Sequence, residues 1–342
     1  MNKTPSKTIL LTGGLGFIGS HTAVELIAKG HEVILVDNLS NTRAEVLDGI
    51  EKISGVRPVF EQLDMAKQSD VELLCAKYKF DGCIHFAAFK AVGESVEKPL
   101  EYYNNNIASL VYLLQNFRDN GHNNIIFSSS CTVYGQADEM PITENAAIKP
   151  AESPYGNTKQ IGEEIIREAI VAHPEMKAIA LRYFNPIGAH ESALIGELPL
   201  GVPMNLVPFI TQTAAGIRNE LKVFGNDYPT ADGTAVRDYI HVVDLAKAHV
   251  TALSRLIDNK NESNYEVFNI GTGKGSSVLE AINAFEKVSG EKLNWDFAPR
   301  RAGDVIEAYA DTTKANNTLG WKAEKNIEDC MRDAWRWQQK LG

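Results

Sequence analysis

Tyr155 and Lys159 stand four residues apart in Ser153-Pro154-Tyr155-Gly156-Asn157-Thr158-Lys159, so on a helix they share a face. A lysine ammonium near a phenol favours the phenolate, and such a pair can take up a proton near neutral pH. Alone it is a short motif of the kind that recurs by chance. Two other stretches give it weight. Ser128-Ser129-Ser130 closes an apolar run and brings hydroxyls that could meet the tyrosine. Far upstream, Gly13, Gly16 and Gly19 mark the junction of an apolar run with a helical pattern through Phe17, Ile18, Ala23, Val24, Leu26 and Ile27.

These glycines have separate physical duties. Gly13 permits a tight turn, Gly16 lets a pyrophosphate approach the backbone, and Gly19 lets the helix pack on the strand. The free N–H groups of the first helical turn then face the anion. A second apolar run, 31–36, ends in Asp37. It lies about 20 residues past the turn, where a carboxylate binds both ribose hydroxyls and repels a 2′-phosphate. The pattern predicts NAD as cofactor in preference to NADP.

The elements that must position these residues alternate. Apolar runs at 8–12, 31–36, 59–63, 82–86, 124–128 and 178–182 predict strands. Helical spacing predicts helices at 71–78, 99–120 and 154–172, with Pro99 and Pro154 in first-turn positions. Strand and helix in alternation predict an α/β fold with a doubly wound parallel sheet, whose ligands bind at the carboxyl ends of the strands. Between 186 and 208 proline and glycine become dense, which predicts a loop. Beyond it helices are predicted at 243–257, 277–288 and 327–340, and a strand at 266–270. The expected division is a dinucleotide-binding domain over 1–185, with a return element near 236–270, and a smaller α/β substrate-binding domain over 186–342.

Bulk properties narrow the function. Of 342 residues, 34 are Lys or Arg and 44 are Asp or Glu, and the net charge of −10 has no basic run set against it. Nucleic acid is excluded as a partner. Cys75, Cys83, Cys131 and Cys330 form no C-x-x-C pair, and the eight histidines have no metal spacing, so no metal is expected. The stretch before the glycine turn is too short for a signal peptide or a membrane span, which predicts a cytoplasmic protein that does not engage the membrane.

The residues just named, with 12–21, Lys90-Ala91-Val92-Gly93-Glu94-Ser95, Thr132-Val133-Tyr134-Gly135, 181–186, 224–230 and 236–242, resemble the extended short-chain dehydrogenase/reductase family over essentially the whole chain. Within it they resemble the branch that epimerises nucleotide sugars at C4. The resemblance implies that Tyr155 takes the proton of a UDP-hexose 4-hydroxyl and that Ser130 hydrogen-bonds the same oxygen. It implies that Lys159 holds the cofactor ribose and depresses the tyrosine pKa. NAD would stay bound throughout, through Phe17, Ile18, Asp37, Asn38, Asp64, Phe86, Lys90, Asn105 and Phe184. The UDP end would be held by Asn185, Asn205, Arg237, Arg301 and Asp304, two arginines suiting a diphosphate. Arg300 reads as a surface ion pair instead. Ala308 would lie against the sugar C2 substituent, where a small residue admits N-acetylated sugars. The resemblance also implies a homodimer built on helices 99–120 and 154–172.

Two other readings compete. Dehydratases and decarboxylases of the family carry an acid before Val-Tyr-Gly, but here Cys131-Thr132 fills those positions. A non-catalytic NAD-sensing regulator usually loses the tyrosine or the lysine, and this chain has both.

Overall fold

Buried apolar runs alternate with helices through the first half of the chain in the computed structural model, which describes residues 6–301 and 304–342. In order they are β1 (Thr8–Thr12), α1 (Phe17–Ala28), β2 (Glu32–Val36), α2 (Val46–Ser54), β3 (Val59–Glu61), α3 (Gln68–Lys77), β4 (Gly82–His85), α4 (Val92–Glu97), α5 (Pro99–Asn120), β5 (Asn124–Ser128), α6 (Pro154–Ala172) and β6 (Lys177–Tyr183). Shorter pieces follow: β7 (Asn185–Ile187), α7 (Leu206–Ala214), β8 (Leu221–Phe224), β9 (Val236–Arg237), β10 (Tyr239–His241) and α8 (Val242–Ile257). The remaining elements are β11 (Tyr265–Ile270), β12 (Ser276–Ser277), α9 (Val278–Ser289), β13 (Trp295–Ala298), β14 (Glu307–Ala308) and α10 (Ile327–Leu341).

Seven strands form one sheet in the order β11-β6-β5-β4-β1-β2-β3, with every neighbour parallel. The chain winds outward from β1 through β2 and β3, then returns to the other side of β1 with β4. Between β1 and β4 the strand order reverses, and a crevice opens there beyond the carboxyl ends. The sheet is the doubly wound α/β arrangement that the alternating pattern predicts.

Both faces of the sheet are covered, which is why its strands are largely apolar. Side chains alternate along each strand. Ile9 and Leu11 join α1 and α8 through Ala23, Leu26, Leu245 and Leu253 on one face. Leu10 joins α3, α5 and α6 through Leu74, Leu113, Phe117 and Ile166 on the other. Burying each such Leu or Ile contributes roughly 1.5–3 kcal/mol. A third cluster, with Ile187, Ile210, Val223 and Phe285, supports the shorter elements of the second half.

Two departures from the sequence expectation bear on packing. The stretch 186–208 is not all loop, because β7 pairs in parallel with β10, a partner far along the chain. It also contains the start of α7, and Pro208 is tolerated there because a first-turn N–H has no intrahelical acceptor. Helix α2 went unpredicted. Its Gly49 looks like a breaker but serves close packing, since a Cβ there would lie 2.5 Å from the Leu194 carbonyl oxygen.

Candidate functional site

At the point where the strand order reverses lies a cleft of about 690 Å³. Its lining includes Gly13, Gly16, Phe17, Ile18, Gly19, Asp37, Asn38, Asp64, Phe86, Lys90 and Asn105 from the β1, β2, β3 and β4 ends and α5. Tyr155, Lys159 and Asn205 close it from the far side.

The turn after β1 is shaped by clearance. Gly13 has φ of 65°, and a Cβ there would stand 2.9 Å from the Ala87 amide nitrogen in the loop leaving β4. On Gly19 a Cβ would fall 2.3 Å from the Gly13 carbonyl oxygen, so helix and turn touch only because Gly19 lacks a side chain. Gly16 is the N-cap of α1 and no side chain caps that helix, which leaves the N–H groups of its first turn open to a bound anion. Asp37 is buried at the end of β2 and accepts the Leu15 and Leu39 N–H groups at 3.2 and 2.9 Å. Two such bonds leave a carboxylate with acceptor capacity for ribose hydroxyls. Burial raises its pKa, and the backbone N–H groups oppose the rise. A cradle that a Cβ would fill, an uncapped helix start and this carboxylate together fit a dinucleotide.

Tyr155 and Lys159 owe their places to the start of α6. The Ser153 hydroxyl accepts the Gly156 N–H at 3.2 Å and Pro154 opens the helix, which puts Tyr155 in its first turn and Lys159 one turn further on. Both are buried. The Lys159 Nζ donates to the Ser128 carbonyl at 2.6 Å and lies 5.8 Å from the centre of the Tyr155 ring. Ser130 caps the 3₁₀ turn Cys131–Tyr134, its Oγ accepting the Thr132 N–H at 3.2 Å. Tyr183, beside the cleft, bonds the Ser128 hydroxyl at 2.6 Å.

One electrostatic expectation fails. Burial raises the Tyr155 pKa above its ordinary value, Tyr183 adds to the rise, and it is Ser130 that pulls it down. The ammonium of Lys159 points at a carbonyl, so desolvation of the phenol outweighs it. Lys159 is itself pushed down to about 8 by burial, and the nearby Glu163 carboxylate opposes that fall.

Phe184, Asn185, Arg237, Arg301, Asp304 and Ala308 lie outside the lining of the cleft. Phe184 is buried in a small apolar cluster with Val133, Tyr134, Ile142, Ala308 and Ala310. Asn185 sits in β7, opposite Tyr239 of β10. Arg237 and Ala308 are register partners across β9 and β14. Asp304 takes two bonds from Arg301, at 2.9 and 3.2 Å, and lies 3.6 Å from Arg237. Arg301 also stacks over Phe224 at 4.9 Å, whereas Arg300 pairs with Asp227 at 2.7 Å. Asn205 donates to Glu197 Oε1 at 2.6 Å, and the same oxygen takes the Lys90 ammonium at 3.0 Å.

Glu197 was missed by the sequence reading, and nothing in its loop marks it. Glu163 was also missed, although a signal existed: it continues the spacing of Tyr155 and Lys159 as a charge on a buried helix face.

Comparison with known proteins gives a consistent set of relatives. The family profile described as GDP-mannose 4,6 dehydratase matches residues 10–334. The chain is 51% identical over 335 residues to UDP-glucose 4-epimerase 2 of Arabidopsis thaliana, covering 97% of this chain and 95% of that protein. It superposes with a TM-score of 0.94, at 46% identity and 98% coverage of both chains, on the UDP-glucose-4-epimerase of Stenotrophomonas maltophila with bound NAD and formylated UDP-arabinopyranose. The UDP-glucose 4-epimerase of Bifidobacterium longum in complex with NAD+ and UDP gives a TM-score of 0.93 at 47% identity, covering 97% of this chain and 98% of that one.

Proposed function

The chain belongs to the UDP-glucose 4-epimerases, and from that premise we propose that Tyr155, Lys159 and Ser130 carry an NAD-dependent inversion of C4 that interconverts UDP-glucose and UDP-galactose. The observation that carries this reading is the end of β5. There a buried phenol and a buried lysine line a cleft opening on the glycine turn, and the Ser130 hydroxyl lowers the pKa of that phenol.

When bound, NAD supplies reversible acceptance of the hydrogen and electron pair leaving C4. Tyr155 takes the proton of the sugar 4-hydroxyl as C4 becomes a ketone, and Ser130 bonds that oxygen. Lys159, steadied by the Ser128 carbonyl, directs its ammonium to the cofactor ribose. Once the keto sugar has turned about its link to UDP, Tyr155 returns the proton and C4 is closed on its other face. No net oxidation results, so the cofactor has no reason to leave. Gly13, Gly16, Phe17, Ile18, Gly19, Asp37, Asn38, Asp64, Phe86, Lys90, Asn105 and Phe184 hold it. Asn185, Asn205, Arg237, Arg301 and Asp304 hold UDP. In this reading 1–185, with the return near 236–270, serves the cofactor and 186–342 the UDP-sugar.

Elimination chemistry, to which the matching profile's description points, needs a further acid before Val133-Tyr134. Cys131-Thr132 stands there instead, a hydroxyl and a thiol that burial pushes up to about 11. A purely sensing role leaves the Tyr155, Lys159 and Ser130 arrangement without purpose.

The substrate range extends to UDP-N-acetylhexosamines. Ala308 is buried beside Arg237 and brings only a methyl group where a tyrosine would crowd an acetamido group, and overpacking costs roughly 1–3 kcal/mol. The chain forms a homodimer. Leu100 is exposed on α5, and half-buried Tyr103, Ile107 and Val111 continue its stripe toward half-buried Ile161 and Ile165 of α6. It is cytoplasmic, a reading supported by four free cysteines. Among the described residues no helix is long and apolar enough to cross a membrane.

Incubating the purified protein with UDP-galactose and no added NAD tests the main reading, and UDP-glucose is the expected product. Absence of that product with NAD bound defeats it. For the wider range, kcat/KM is compared for UDP-galactose and UDP-N-acetylgalactosamine in the native protein and in Ala308→Tyr. Selective loss of the N-acetylated sugar in the variant is expected.

A further inference from the structure

Helix α6 carries three titratable side chains on its buried face, Tyr155, Lys159 and Glu163, each one turn from the last. Opposite them runs the serine loop, and it meets each of the three. Ser130 acts on the Tyr155 phenol, the Ser128 carbonyl takes the Lys159 ammonium, and the fully buried Ser129 donates to Glu163 Oε1 at 2.5 Å. The carboxylate is then closed off from behind. Arg182 of β6 donates to both its oxygens at 2.9 and 2.6 Å, and the Tyr265 hydroxyl of β11 adds a bond at 3.2 Å. Arg182 also donates to the Tyr134 hydroxyl at 3.0 Å, at the far end of the same turn that Ser130 caps.

Burying an ion pair is a poor route to stability, because desolvation offsets the attraction and well-packed apolar residues do as well. What Glu163 does that an apolar residue cannot is bind the loop that carries Ser130. We propose that Glu163 is a positioning residue for the C4 chemistry: through Ser129 it fixes the register of the serine loop on α6, so that Ser130 and Tyr155 address one substrate oxygen. This rests on the epimerase reading above. A second effect follows from charge. The titratable groups around Lys159 are Tyr155 and Glu163 on its own helix, the latter paired with Arg182 of β6, and His85 of β4, which burial pushes down to about 3. Glu163 is the anion among them, and it favours the charged lysine.

The test separates positioning from folding. Ser129→Ala removes one hydroxyl and no charge, and leaves the Glu163–Arg182 pair in place. Its kcat with UDP-galactose is expected to fall roughly tenfold to a hundredfold, the cost of a small misplacement of reacting groups. KM, retained NAD and the thermal midpoint are expected to stay near native. In Glu163→Gln the alkaline limb of the kcat–pH profile is expected to move down by about one unit, because the counter-charge to Lys159 is gone. If Glu163→Gln yields no folded protein, Ser129→Ala decides alone. Native kcat in Ser129→Ala overturns the proposal. So does a loss of kcat that merely tracks loss of folded, NAD-loaded protein, or a folded Glu163→Gln with the native profile. A native protein that fails to epimerise UDP-galactose defeats the earlier reading instead, since that assay involves no variant.

Discussion

The two ends of the proposed site are built by different means. At the glycine turn the groups proposed to bind are backbone N–H groups, and their placement follows from β1, α1 and a helix start left uncapped. At the proposed arginine end the groups are side chains that hold one another, Arg237 on the two-residue strand β9 and Arg301 and Asp304 in the irregular chain ahead of β14. Geometry at the first end is inseparable from the fold. At the second it is an arrangement of charges laid on the fold, and it can be changed without unfolding anything.

Changes at each end, and at the phenol between them, can break that contrast. The largest effect is expected from Tyr155→Phe, which removes the proton acceptor and lowers turnover by roughly 10²-fold or more. Bound NAD, measured after purification, should be unaffected in that variant. Near-native turnover would remove Tyr155 from the chemistry.

Gly19→Ala attacks the backbone-built end, where its Cβ would lie 2.3 Å from the Gly13 carbonyl. Overpacking of this kind costs roughly 1–3 kcal/mol. The variant should lose both NAD retention and thermal stability, because cradle and fold are one object there. Retained cofactor with a native melting temperature would contradict the contrast.

Arg301→Ala attacks the other end. Arg301 is half exposed, and an ion pair so placed contributes about 0–1 kcal/mol to folding. KM for UDP-galactose should rise about tenfold with kcat little changed, the mark of lost uniform binding, and the melting temperature should hold. A large fall in melting temperature would show that the two ends are not built differently.

The smallest effect is a pH dependence of stability. Burial lowers the Lys159 pKa from its unfolded value to about 8. Between about 8 and the unfolded value near 10.4 the unfolded chain binds more protons than the native one, so this group makes stability rise with pH across that window. Denaturation midpoints of the cofactor-stripped protein should show such a component, and Lys159→Met should remove it. An identical pH dependence in both proteins would count against the burial argument.

The same contrast decides what the sequence disclosed. Helices α5 and α6 were readable to their ends because local chemistry sets them: Pro99 and Pro154 open them, Ser153 caps one, and Gly121 closes the other with φ of 71°. The glycine turn was readable for the same reason. Strands β9, β12 and β14 were not, since two residues carry no period and each exists only through distant pairing. Phe184 and Ala308 share an apolar cluster, and that neighbourhood depends on the pairing too. Burial against Tyr183 was equally invisible, and it reversed the expected direction of the Tyr155 pKa.

Strand β11 has a consequence for how the molecule comes to exist. It supplies the last strand of the sheet, pairing Tyr265–Ile270 with Ala178–Tyr183, from a point in the chain well beyond the segment that builds the other six. A nascent chain that has emerged only through β6 therefore carries an open, apolar sheet edge, a template for pairing with other chains. The residues that cover it arrive after β7–β10 and α7 have been made. The sheet is completed only after that delay, and the last contacts to form are non-local ones that fold slowly. Its exposure to aggregation during production is set by that delay, and a fragment cut after β6 inherits the open edge permanently.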